Sequence, residues 1–334
     1  MSSLNQKRNS FVIPVIAASY IGPSLMPNRD ALWEENELPL NADALVTEVM
    51  GQPMRRAGRF IKMVACGGVA CLQNVSLDYL KGKKTGIFLS TGLGNVDEIM
   101  PFITQVFKHG GGFPSPNQFA NSVSNAAAFV LAKICDVTGT VLTISQEEFS
   151  FESALWLAQN YLESGEIDLA LVGGCDIFTP TVDEYRERVN LDCCHSRHLP
   201  MGEGSSWLLL GNAEQEKIGE IIAVDFFDDV NLEHGFTTEQ IAVRAEALLT
   251  AAFQEQPGKQ NKILLPGFRM TVSDMDSWKQ KGWIIEDYLP CCGIHSTASA
   301  FGIARALREN PPSFFVHYNH QSSKKHALVF GRTK

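Results

Sequence analysis

The feature that most constrains the fold is a strand, a sharp turn, a helix and a second strand in direct succession near the middle of the chain. Thr140–Ile144 is a short apolar run typical of a strand, and Ser150–Glu163 has apolar residues at helical spacing. Asp168–Val172 is the second apolar run, and we expect the glycines Gly173 and Gly174 to terminate it. This succession predicts an α/β layered fold.

The same alternation of strand-like and helix-like segments continues along the chain. The predicted strands are Phe11–Ala18, Thr85–Ser90, Thr140–Ile144, Asp168–Val172, Trp207–Leu210, Ile221–Phe226, Ile263–Leu265, Phe314–Tyr318 and His326–Phe330. The predicted helices are Arg59–Gln73, Asn121–Ile134, Ser150–Glu163, Thr238–Gln254 and Ser296–Arg308. A polar, charged connector begins at residue 212, so we predict two similar α/β halves, residues 1–212 and 213–334.

Composition excludes several classes of function. The chain has 334 residues, a net charge of −9 and no strongly basic stretch, which argues against nucleic-acid or anionic-membrane binding. No apolar run reaches the roughly 20 residues that a membrane helix needs. The polar N-terminus does not resemble a signal peptide, and the cysteines within apolar runs suggest reduced thiols, so we expect a cytoplasmic protein.

Two motifs in the central segment carry a resemblance to a known family. Residues 143–155 read TISQEEFSFESAL, and the strand that follows ends in Gly173-Gly174-Cys175-Asp176. This resembles β-ketoacyl-ACP synthases of the thiolase-like superfamily, whose turn reads roughly Ser-Thr-Ala-Cys-x-Ser-Gly and whose next strand ends in Gly-Gly-x-Glu. The resemblance implies the thiolase-like fold, with two similar halves that form a five-layered α-β-α-β-α core.

Other segments match the same family. Ser196-Arg197 and Gly202-Glu203-Gly204 are similar to its Ser-Arg-Pro and Gly-Glu-Gly signatures, and residues 293–302 resemble the segment of its second catalytic histidine. The segment Ala327–Phe330 is similar to its closing strand. Together these matches cover most of the chain.

The resemblance also implies that the family's catalytic residues are lost. Glu148 stands at the nucleophilic cysteine, Pro266 at the first histidine and Pro290 at the conserved lysine, while His295 falls at the second histidine. The Gly-Phe-Gly-Gly-Thr-Asn loop is replaced by residues 321–326, QSSKKH. A carboxylate does not replace a thiolate as an acyl acceptor. We therefore expect no intact catalytic site and no condensation by this chain alone.

Several of these residues admit two interpretations. Glu148 either caps the helix that begins near Ser150 or acts as a general base, and we favour the cap. His295 is either a buried, hydrogen-bonded histidine or catalytic, and we favour the first. Residues 193–198, CCHSRH, have metal-ligand types but match no CxxC zinc spacing, so we predict a solvated loop without metal. Residues 92–95 lack the lysine of a phosphate loop, and we expect a turn and no cofactor.

Within the family, chains without the cysteine resemble chain length factors, which pair with an active ketosynthase and shape its acyl tunnel. The resemblance implies a heterodimer with an active ketosynthase, an acyl carrier protein as a further partner, and a role in polyketide, aryl polyene or fatty-acid-like biosynthesis. Phe102, Phe107 and Phe119 are the candidate tunnel residues, because this segment faces the partner in the family.

Two alternatives remain open. The chain could be a malonyl-carrier-protein decarboxylase or acyltransferase that uses Glu148 and His295. It could also be a homodimeric acyl-binding scaffold, in which case its surface should show no large apolar patch.

Overall fold

The structure, a computed structural model, describes residues 12–23, 38–108, 110–111, 115–179, 199–211, 217–229, 235–252, 261–267, 269–321 and 325–334. The strands are β1 (Ile13–Ile21), β2 (Thr85–Ser90), β3 (Val141–Ile144), β4 (Leu169–Asp176), β5 (Gly204–Gly211), β6 (Gly219–Asp228), β7 (Asn261–Pro266), β8 (Ile284–Ile285), β9 (Ser313–Gln321) and β10 (Lys325–Thr333). The helices are α1 (Ala42–Met50), α2 (Arg59–Leu72), α3 (Leu77–Leu80), α4 (Val96–Lys108), α5 (Pro116–Ser122), α6 (Asn125–Ile134), α7 (Ser150–Glu163), α8 (Thr238–Ala252), α9 (Val272–Gln280), α10 (Leu289–Cys292) and α11 (Ala298–Glu309).

The strand order repeats within the chain. The strands follow one another in the order β3-β2-β4-β5-β1-β6-β10-β9-β7-β8. β2 pairs in parallel with β3 and β4, while β5 pairs antiparallel with β4 and β1. In the second set of five strands, β7 likewise pairs in parallel with β8 and β9, while β10 pairs antiparallel with β9 and β6. A short antiparallel contact of β1 with β6 joins the two sets. The boundary at residue 212 lies between these sets and stays a prediction.

Three apolar cores separate the layers. A central core combines Phe151 of α7 and Phe301 of α11 with strand residues from both sets, such as Val172 and Val329. One outer core packs α2 and α6 against the first set of strands, and the other packs α8 and α9 against the second set. Neighbouring residues of a strand face different cores because side chains alternate across a strand. The result is the predicted α-β-α-β-α arrangement.

The expectation that Gly173 and Gly174 terminate their strand is wrong. β4 continues to Asp176, and all of its residues are buried. A Cβ on Gly173 would lie 2.0 Å from the Trp207 ring, and one on Gly174 would lie 2.8 Å from Thr297 and Ala300. These glycines therefore allow close packing inside a strand and do not end it.

The single helix expected over Asn121–Ile134 is two helices, α5 and α6. Val123 between them has an extended backbone, with φ −91° and ψ 127°. The side chain of Asn95 donates a hydrogen bond to the carbonyl of Asn121, which takes that carbonyl out of a continuous helical pattern.

Sequence reasoning did not assign α4 or α9. α9 begins with a capping box, in which Thr271 accepts from the N–H of Asp274 at 3.1 Å and Asp274 accepts from the N–H of Thr271 at 2.9 Å. The Thr-x-x-Asp spacing is the signal that identifies this start. Among the described helices, none is long and apolar enough to span a membrane.

Candidate functional site

The turn that leads into α7 has the geometry of a sharp strand-to-helix elbow. Glu147 has a φ of +49°, which is uncommon for a residue other than glycine. The Ser150 hydroxyl accepts from the N–H of Gln146 at 2.8 Å and donates to the carbonyl of Glu147 at 2.6 Å. Glu148 therefore lies on a backbone that its neighbours hold in a fixed conformation.

Glu148 pairs with an arginine and does not cap α7. Its Oε1 lies 2.7 Å from Nη2 of Arg269, and the two side chains are 2% and 4% exposed. α7 has no side-chain hydrogen bond at its N-cap, so the expectation that Glu148 caps this helix is wrong. The physical reason is that a buried guanidinium neutralises a buried carboxylate better than the free N–H groups of a helix end do.

The strand β9 also holds the elbow. Nδ2 of Asn319 donates to the Glu148 carbonyl at 2.8 Å, and Nε2 of Gln321 lies 3.4 Å from the Gln146 carbonyl. Residues from the C-terminal part of the chain thus fix a turn from the N-terminal part.

The two predicted proline positions carry no catalytic group. Pro266 ends β7 and lies opposite Tyr318 in β9. Pro290 lies in the first turn of α10. Neither side chain offers a donor or a base at these places.

His295 is buried and hydrogen-bonded, in agreement with the interpretation favoured from the sequence. It is 4% exposed; its Nδ1 lies 3.3 Å from Oγ1 of Thr297 and 3.9 Å from Oδ2 of Asp176. Its Nε2 has no hydrogen-bond partner within the described part of the chain. His295 and Asp176 line a small cavity that neither Glu148 nor Arg269 lines.

Asp176 organises the end of β4. Its Oδ1 accepts from the hydroxyl of Thr91 and the N–H of Gly92 at 2.9 Å each, and its Oδ2 accepts from the N–H and hydroxyl of Thr297. Burial alone would raise the pKa of Asp176, but His295 and these donors hold it below its ordinary value. The acidic residue after Gly-Gly therefore ties the 91–95 turn to the start of α11.

The Glu203 carboxylate of the Gly-Glu-Gly motif links the start of α2 to the segment before α1 and to the segment after β4. Glu203 is fully buried, pairs with Arg59, and accepts from the N–H groups of Leu40 and Phe178 at 2.5 and 2.6 Å. This is a structural use of a buried carboxylate, since all of these partners are backbone or the arginine.

The three candidate tunnel aromatics lie on α4 and α5. Phe102 is half-buried, and its ring centroid lies 5.8 Å from that of Phe119. Phe107 is 80% exposed and Phe119 is 56% exposed. Among the described residues, no ring contact joins these phenylalanines to Glu148 or His295.

Some predicted residues lie outside the described residues. These are Cys193–His198 with Ser196 and Arg197, and residues 322–324 of the loop that replaces the glycine-rich segment. Within the described ranges, no group of three His, Cys, Asp or Glu side chains could hold a metal ion.

Arg269 and Asn319 are the site residues that sequence reasoning missed. Both residues reach the elbow through contacts between segments that are distant in the chain, and a single sequence does not show such contacts. The signal available for Arg269 was its position three residues after Pro266, in the stretch that resembles the first histidine motif.

Comparison with known proteins agrees with this fold. Residues 32–190 match the family model described as "Beta-ketoacyl synthase, N-terminal domain". No curated protein matches the sequence significantly.

Solved structures with a similar fold include the ishigamide ketosynthase/chain length factor, with a TM-score of 0.72, 14% identity, and coverage of 96% of this chain and 99% of that one. A type II PKS acyl-carrier protein in complex with its ketosynthase bound to the hexaketide has a TM-score of 0.68, 14% identity, and coverage of 97% and 99%. The ketosynthase from module 6 of the bacillaene synthase from Bacillus subtilis 168 has a TM-score of 0.66, 12% identity, and coverage of 97% and 72%.

The family match, the strand order and these structural likenesses agree with one another. The chain therefore has the thiolase-like ketosynthase fold, and its residues 32–190 match the family model of the β-ketoacyl synthase N-terminal domain.

Proposed function

We propose that this chain is a non-catalytic, chain-length-factor-like subunit that pairs with an active ketosynthase. The observation that carries the proposal is an exposed apolar face on α4, α5, α6 and β3. This apolar face consists of Met100, Ile103, Phe107, Phe119, Val123, Phe129 and Val141.

The apolar face brings strongly exposed apolar side chains onto neighbouring elements. Phe107 and Phe129 are 80% and 66% exposed, and α4 has no buried residue although its sequence is strongly amphipathic. Contiguous exposed apolar surface of this kind marks an interaction site. The homodimeric alternative stays open, because a second copy of the chain could cover the same face.

An edge strand borders the apolar face. β3 lies at the end of the strand order and pairs only with β2 among the described strands. Open edges are exposed to pairing with another chain unless a partner covers them. A partner that covers β3 together with α4–α6 would bury both features at once.

An active ketosynthase is the partner that fits best. The elbow that would present a nucleophile carries the Glu148–Arg269 pair, so this chain would need a second subunit to supply the condensing cysteine. Two structures of similar fold are a ketosynthase/chain length factor and a ketosynthase with its acyl-carrier protein. We propose that the product is a polyketide, an aryl polyene or a related fatty-acid-like chain.

We propose that Phe102, Phe107 and Phe119 close the end of the partner's acyl tunnel. The contact between the Phe102 and Phe119 rings links α4 to α5, and Phe107 extends from the same helix as Phe102. Aromatic rings at this place would limit the length of an apolar chain by their bulk.

A basic groove next to the apolar face supports an acyl carrier protein as a further partner. Arg55 and Arg56 line it together with the apolar side chains of Met54, Ile61 and Val130. Neither arginine has an acidic partner within the described residues. Carrier proteins of this class are acidic, so the two guanidinium groups complement them in charge although the whole chain is negative.

The proposed setting is the cytoplasm, where thiols stay reduced. Cys66, Cys71, Cys135, Cys175, Cys291 and Cys292 are all free.

Co-purification with the active ketosynthase of the same gene cluster tests the partner. We expect a one-to-one complex that Phe107→Asp with Phe119→Asp disrupts, because two carboxylates would have to be buried in its interface. Binding is measured by affinity capture followed by size-exclusion chromatography with light scattering.

Leu77→Asp is the matched control. Leu77 is 84% exposed and apolar but lies on α3, outside the apolar face, so this change should leave the complex intact. A complex that is indifferent to the phenylalanine changes, or equally sensitive to Leu77→Asp, would contradict the proposed interface.

The enzyme alternative stays distinguishable. A decarboxylase or acyltransferase using Glu148 and His295 would turn over malonyl carrier protein as an isolated chain. We expect no such turnover, because the Glu148 carboxylate is buried and held by Arg269.

A further inference from the structure

A second buried acidic residue lies next to the elbow and takes no part in the features described so far. Glu152, the third residue of α7, is fully buried and lies four residues after Glu148. Nδ2 of Asn319 donates to the Glu148 carbonyl and also lies 3.4 Å from Oε1 of Glu152. Two carboxyl groups therefore share one small buried region.

A histidine of β9 also lies next to Glu152. Nδ1 of His317 lies 3.5 Å from Oε1 of Glu152 and makes no hydrogen bond with any described residue. Nε2 of His317 lies 2.9 Å from the hydroxyl of Tyr288, and both of these side chains are buried. His317 and Asn319 lie on the same face of β9 because side chains alternate along a strand.

The charges of this region balance only if one extra proton is present. Arg269 neutralises Glu148, which leaves Glu152 without a cation of its own. Ser299 of α11 and Asn319 of β9 face Glu152 with neutral groups. A lone ionised carboxylate in such a place is costly, and a buried group avoids that cost by holding a proton.

We propose that Glu152 and His317 form a built-in protonation site, in which the Glu152 carboxyl keeps one proton in weakly acidic solution and faces a neutral His317. The Glu152 O–H then points to Nδ1 of His317, and Nε2–H of His317 donates to the Tyr288 oxygen. The resulting chain of Arg269, Glu148, Glu152 and His317 is neutral overall. It joins the elbow, α7 and β9 without any exposed member.

The electrostatics of the two groups agree with this arrangement. Burial, with a smaller contribution from Glu148, raises the pKa of Glu152 to about 7. Burial lowers the pKa of His317 to about 3. In the unfolded chain the ordinary values are near 4.5 and 6.5. The folded pair therefore holds one proton from about pH 3 to pH 7, and the unfolded pair holds one only from about pH 4.5 to pH 6.5.

Two variants should change the pH dependence of stability in opposite directions. In Glu152→Gln only His317 remains, its folded pKa is depressed, and stability relative to the natural chain should rise with pH between about 4.5 and 6.5. In His317→Gln only Glu152 remains, its folded pKa is raised, and relative stability should fall over the same range. The midpoint of urea unfolding, measured at half-unit steps of pH, gives both slopes.

Infrared spectroscopy of the natural chain tests the site without relying on a variant's stability. At pH 6 we expect the C=O stretch of a protonated carboxylic acid, absent in Glu152→Gln and retained in His317→Gln. Absence of this band from the natural chain, or an imidazolium signal from His317 in nitrogen NMR at pH 6, would overturn the proposal. Slopes of the same sign in the two unfolding series would also overturn it.

Discussion

At the residue scale, Glu148 stands where the sequence resemblance puts the nucleophile, and its partner Arg269 lies three residues after Pro266, which stands at the first histidine position. The pair joins the elbow to the segment after β7, and its members are almost fully buried. Such pairs contribute little net stability compared with apolar replacements, but leaving one charge alone is severe. The pair therefore explains how the elbow holds a buried carboxylate.

Removing one member of this pair should destabilise the chain strongly. Arg269→Met leaves Glu148 buried without a cation, which should cost about 3–5 kcal/mol. The double change Glu148→Leu with Arg269→Met removes both charges and should recover most of that loss. Urea unfolding followed by circular dichroism measures both variants, and a double variant no more stable than the single one would contradict the account.

At the scale of elements, local signals in the sequence identified much of the fold. β2 and α7 begin and end where the apolar spacing predicts. Both faces of β2 are buried, and α7 buries one stripe of side chains along its length. Long-range packing decided the remaining cases. The glycines of β4 looked like a stop signal because the side chains packed against them, Trp207 at Gly173 and Thr297 and Ala300 at Gly174, come from later segments of the chain.

The site was less predictable than the fold. The identity of the residue at the elbow was visible, but its partner Arg269 lies 121 residues away in the sequence. α4 was missed because none of its residues is buried, so its amphipathic pattern corresponds to no core within the described part of the chain. Sequence patterns report burial within a chain more readily than burial between chains.

The capping box of α9 gives a prediction at this scale. Thr271→Ala removes the acceptor for the N–H of Asp274 and should destabilise the chain by about 1 kcal/mol. Thr271→Ser keeps the hydroxyl and should have a much smaller effect. Equal losses for the two variants in chemical denaturation would show that the hydroxyl does not stabilise this helix end.

At the scale of the whole molecule, the repeated strand order places the elbow and the apolar face at different regions of one fold. The elbow is closed by contacts between the two sets of strands, whereas the apolar face lies beside the edge strand β3. The chain keeps the ketosynthase fold and exposes the apolar face at its surface. Its stability in isolation should then depend on protein concentration, because self-association would cover that surface.

The most direct test of the central proposal is a condensation assay on the purified pair of this chain and its ketosynthase. We predict activity that is lost when the partner's catalytic cysteine is replaced and retained when this chain carries Glu148→Leu with Arg269→Met. Activity that survives loss of the partner's cysteine, or that the double change in this chain abolishes while the complex remains intact, would contradict the account.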